Sequence, residues 1–228
     1  MQKKGSKGLR LLAIIVLAFS AVFTLLAGIG TTCVAFNPTG YGPSFSKIAP
    51  LQWLWVLFVI VGIVSGIAGI MSIVHIIRNK QGGYKFALTV LAVQTLLNLI
   101  HLIASRAIRG SSMPVDPILY TNVIALLVFL IPGVRDALRV GDTATTVEDA
   151  QVNKAAAAIS LLVTGLLVLT IQYWMAPTHV IEGINYADVW HNNFLLAGGG
   201  MIILSAVLGA SWLAGRTRVH AAAAERNA

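Results

Sequence analysis

Six stretches of this 228-residue chain hold no Asp, Glu, Lys or Arg over 18 residues or more: 11–29, 51–77, 86–105, 117–134, 155–176 and 194–214. A helix needs roughly 20 apolar residues to cross a hydrocarbon core of ~30 Å, and inside lipid its backbone groups must be satisfied within the segment. The runs are 19, 27, 20, 18, 22 and 21 residues long. They predict an all-α, polytopic bundle of six transmembrane spans forming one domain over 1–228, with 215–228 as a tail. The fourth run is the shortest and carries Pro132 near its end, so it is the weakest of the six. Composition agrees: 57% of residues are hydrophobic and 11% charged, too few charges to coat a water-soluble domain.

Basic residues set the expected orientation, because positively charged flanks are retained on the cytoplasmic side during insertion. With the N-terminus inside, thirteen of the sixteen Lys and Arg face the cytoplasm, and only Lys47, Arg106 and Arg109 lie outside. Both termini are thus expected in the cytoplasm, and short loops with a basic inner face point to a bacterial cytoplasmic (inner) membrane. The net charge of +8 is then topogenic and meets anionic headgroups of the bilayer. No basic cluster interleaved with aromatics suggests nucleic acid. The first run exceeds a signal peptide's usual 7–15 apolar residues, and Gly30-Thr31-Thr32 is a poor lipoprotein context before Cys33. As the single cysteine, Cys33 forms no internal disulfide and reads as a small residue at a helix end.

Connections carry turn and cap signals. Asn37-Pro38, Gly40 and Gly42-Pro43 break the first outer loop, and Pro50 suits a helix start. Asp116-Pro117 reads as an N-cap with proline at the first helical position, and Thr145 with Glu148 has capping-box spacing, Asp149 adding charge in the first turn. Trp53, Trp55, Tyr120, Tyr173, Trp174 and Trp190 fall at outer ends, as an aromatic belt requires.

Within the spans, Gly62, Gly66 and Gly69 with Ser65 line one side of the second run, and Gly198, Ser205 and Gly209 line the sixth. Ser20 and Thr24 lie a turn apart on the first. Lipid gives helices no hydrophobic reason to associate, so such residues are expected at helix contacts, within the chain, in a homo-oligomer or with other membrane proteins. The third run holds Gln94, Asn98, His101 and Ser105, which at 100° per residue share a wedge of about 60°. That stripe either bonds neighbouring helices or lines an outward cavity for a small polar ligand.

In the last outer loop, His179, Glu182, Asp188 and His191 form two i, i+3 pairs. Imidazole with carboxylate is divalent-metal chemistry, although the spacing matches no diagnostic motif. Exclusions weigh more. All eight acidic residues fall outside the runs, which removes an embedded carboxylate for proton or cation coupling. No lysine in a run can form a Schiff base, no row of arginines can sense voltage, and no Cys-x-x-Cys or Gly-x-Ser-x-Gly is present. His75 and His101 differ in depth by roughly 20 Å at 1.5 Å per residue, too far to share one haem. The reading favoured is a non-enzymatic membrane protein that binds a partner or small ligand and holds no cofactor. The alternatives are a small permease using the third run's polar face, and a metal-dependent enzyme built on the last loop.

Overall fold

The computed structural model describes residues 6–138, 147–175, 179–181 and 183–225. Its helices are α1 (Lys7–Phe36), α2 (Pro43–Ser46), α3 (Gln52–Ile77), α4 (Gly83–Arg109), α5 (Val115–Leu130), α6 (Pro132–Leu138), α7 (Val147–Leu169), α8 (Ile171–Met175), α9 (Tyr186–Val189) and α10 (His191–Glu225). Two 3-10 turns and a two-residue antiparallel ladder, Val180–Ile181 with Ile184–Asn185, complete an otherwise all-α set of elements among the described residues. Five helices are long and apolar enough to cross a membrane, and α5 with α6 makes a sixth if the bent pair is one span.

The fourth run is where expectation and structure part. Ile131 takes ψ 121°, as the residue before a proline is driven to do, and the chain turns by 80° between α5 and α6. A continuous span over 117–134 is therefore not formed. Nor is Asp116 an N-cap: α5 begins at Val115 after Pro114, and the Asp116 carboxylate instead accepts hydrogen bonds from Ser112 and Arg106. The fifth run breaks at Thr170, between α7 and α8, while α10 continues through 194–214 to Glu225. Thr145 and the side chains of Glu148, Asp149 and Trp174 lie outside the described residues.

α1 packs against α3, α5 and α7, and α4 closes the ring between α3 and α5. Glycine sets how closely α1 and α3 approach. A Cβ at Gly66 would sit 2.7 Å from the Leu25 Cα, and one at Gly69 would sit 2.7 Å from the Ala21 Cβ. α10 packs on α7, where Gly165 and Gly198 meet backbone to backbone.

The ring is layered along its axis. Toward the first turn of α1 the core is an apolar layer around Ile14, Leu17, Leu91 and Phe129. The opposite end is capped by Val34, Ile48, Trp55 and Val59. Trp55 is thus 2% exposed and belongs to the core, unlike Trp53, Tyr120, Tyr173 and Trp190, which stay exposed as a belt requires. Between the two apolar layers lies a polar one.

Candidate functional site

The polar layer is built by α4, with α1, α3 and α5 supplying its partners. Gln94 is fully buried and spent on neighbours: its Nε2 donates to the Ser65 carbonyl on α3 at 2.8 Å, and its Oε1 faces the Ser20 hydroxyl at 3.1 Å. Ser20 also donates to Asn122 Oδ1 on α5 at 2.6 Å, and Asn122 Nδ2 donates to Thr24 Oγ1 at 3.2 Å. Four helices are tied at one depth. In hydrocarbon an amide has no water to fall back on, so these side chains satisfy one another across helix contacts.

The rest of the stripe divides between two environments. Asn98 turns its Nδ2 back to the Gln94 carbonyl at 2.8 Å. With His101 it lines a cavity of about 20 Å³ whose other walls include Thr24, Gly28, Thr31 and Phe58. A volume of that size holds about one water and no larger solute. His101 is 9% exposed and makes no hydrogen bond to a described residue; its ring stacks on Phe58 at 4.3 Å and meets Trp55 edge-on at 6.0 Å. Ser105 lies beyond the cavity, accepting from Arg109 Nη1 at 3.0 Å and donating to the Ser111 carbonyl.

Arg109 forms a second knot at this end. Its guanidinium lies 3.7 Å from the Phe45 ring centre, donates to the Met113 carbonyl, and leaves its buried Nε without a partner among the described residues. Arg106 bonds Asp116 at 3.1 Å. These contacts fasten the α4–α5 turn and hold α2, through Phe45, against the end of α4.

At the opposite end sits the residue most easily missed in the sequence. Arg10, counted there as one of many flanking cations, is 2% exposed. Its Nη2 donates to the Ile76 carbonyl at 3.1 Å and to Asn79 Oδ1 at 2.9 Å, its Nη1 to the Ala137 carbonyl, and its Nε to Asn153 Oδ1 at 3.1 Å. Asn153 Nδ2 in turn donates to the Ile77 carbonyl. One guanidinium thus joins α1 to α3, α6, α7 and the α3–α4 turn, where Asn79 takes a left-handed φ of 49°. Only the fixed fork of arginine supplies donors in so many directions.

The small-residue stripes are used unequally. Gly62, Gly66 and Gly69 all face α1, Gly198 faces Gly165, and the Ser205 hydroxyl donates to the Ala158 carbonyl at 2.7 Å. Gly209 faces open space. Of the last-loop set, Asp188 accepts from Asn185 at 2.7 Å, His191 opens α10, and Glu182 lies outside the described residues. Among the described residues no three His, Cys, Asp or Glu come together as metal ligands would. No family model, curated protein or solved structure matches this chain.

Proposed function

We propose that this chain is a multi-pass protein of a bacterial cytoplasmic membrane, with both termini inside, whose work is to bind a membrane partner rather than to catalyse a reaction. One observation carries the reading. α10 packs almost wholly on α7, and 11% of its apolar stretch is buried, against 33–44% for the other four long helices. Its outer side presents Leu196, Ile203, Val207 and Leu213, and the exposed row Ala206, Ala210 and Ala214 repeats every fourth residue. Small residues at that spacing let a second helix approach closely. The polar face of α4, by contrast, is engaged inside the chain, and its cavity is water-sized.

Cross-linking in native membranes tests it, using Leu196→Cys in a Cys33→Ser background. An adduct of constant mass, to a second copy or to one other membrane protein, is expected, and Ala210→Trp should abolish it. A chain that stays uncross-linked ends the reading.

A further inference from the structure

A cleft of about 300 Å³ opens on the Arg10 side of the bundle, lined by Ile77, Ala150, Asn153, Lys154, Ala157 and Leu208. α7 forms its floor, and the end of α3 and the middle of α10 stand on either side. From this we propose that the cleft holds one anionic phospholipid, an acyl chain lying against Ile77, Ala157 and Leu208 and the headgroup phosphate on Lys154.

The walls give the occupant its shape. They are aliphatic except at one end, and a cleft between helices that faces hydrocarbon is filled by lipid unless protein covers it. Its volume falls at the low end of small-molecule sites, ~300–1,000 Å³, which suits a segment of chain and not a folded partner.

Charge gives it a sign. Lys154 stands where the charge-free stretch of α7 begins, and its ammonium donates to the Ser211 hydroxyl on α10 at 3.0 Å. That bond holds the amine across the cleft and uses one of its three donors. Arg78 follows Ile77 directly and is exposed, and Arg216 lies five residues past Ser211, about 7.5 Å along the helix, with its guanidinium 5.2 Å from the Trp212 ring centre. None of these three cations has a carboxylate partner among the described residues. Basic pockets between helices at a membrane's inner face take anionic headgroups for this reason.

The proposal requires that the chain span a bilayer and not that α10 bind a protein. The test uses the full chain in phosphatidylcholine nanodiscs doped with phosphatidylglycerol, released into native mass spectrometry. Wild type should retain phosphatidylglycerol severalfold over phosphatidylcholine. Lys154→Arg should keep that preference and Lys154→Glu abolish it. Leu208→Trp, which fills the cleft, should lose both lipids. Soluble glycerol phosphate should not compete, since it lacks the chain. Equal retention of the two lipids, or a preference that survives both Lys154→Glu and Leu208→Trp, overturns the proposal. Variants are compared at unchanged thermal unfolding, so that loss of lipid is not loss of fold. Retained lipid without an α10 cross-link refutes the partner reading alone, and the reverse refutes this one alone.

Discussion

At the scale of single residues, the buried hydrogen bonds are unequal in value. Arg10 makes four bonds to described residues from a charged donor, each worth roughly 1.5–3 kcal/mol. Arg10→Ala takes a charged donor from the Ile76 and Ala137 carbonyls and from the Asn79 and Asn153 side chains, and should cost on the order of 3 kcal/mol or more in SDS-denaturation experiments. Arg10→Lys should recover part of this, because a point-like ammonium cannot reach both sides of the fork. If Arg10→Ala unfolds with wild type, the guanidinium is not the clamp its geometry implies. Asn122 is the milder case. Interhelical hydrogen bonds in membranes average ~0.6 kcal/mol and reach ~1.7, so Asn122→Leu, which removes the partner of both Ser20 and Thr24, should cost about 1–2 kcal/mol. The difference explains what the sequence could tell. Gln94 and Asn98 announce themselves as amides inside an apolar run. Arg10 stands at a run's edge among other cations, and Asn122 is a single amide in a weak run. Neither carries a local pattern, since their partners lie 66 to 143 residues away for Arg10 and 98 to 102 for Asn122.

At the scale of elements, most helices could be read directly, because absence of charge over a membrane's thickness is a local property of the chain. Helix ends could not. α1 runs from Lys7 to Phe36 and α10 from His191 to Glu225, well past their charge-free runs, since a helix does not stop where the lipid does. The α5–α6 bend was half legible, in that Pro132 forbids a normal turn but does not say which way the chain goes next. Small-residue stripes mark contact faces without naming the partner helix, and glycine substitutions separate the two uses. At Gly66 an added side chain meets the Leu25 backbone, which cannot rotate away, so Gly66→Leu should cost roughly 1–3 kcal/mol or more by overpacking. At Gly209 nothing lies within 4 Å, and Gly209→Ala should be neutral or stabilise by up to ~1 kcal/mol through helix propensity. Thermal unfolding of the pair decides it. Equal destabilisation by both would mean that the Gly209 face is covered.

At the scale of the whole molecule, the packing is hierarchical. α1, α3, α4 and α5 close on one another and share the Ser20–Gln94–Asn122 network, whereas α10 packs chiefly on α7. Loops did not dictate that arrangement, and hydropathy is blind to it, since all these helices are equally at home in lipid. Association inside a bilayer rests on packing and hydrogen bonds, so the piece with least of both should separate first. α7 is held to α1 partly through Asn153 and Arg10, while α10 is held to α7 by the Gly165–Gly198 approach, the Ser205 bond and Lys154. Two label pairs test the order in an SDS titration, one across α7 and α10 and one across α1 and α3. The α7–α10 pair should part at lower SDS, and Gly165→Leu should lower its midpoint while leaving the α1–α3 midpoint within error. Two coincident midpoints that Gly165→Leu moves together would instead make the bundle one cooperative unit, and the exposed side of α10 would then owe nothing to loose attachment.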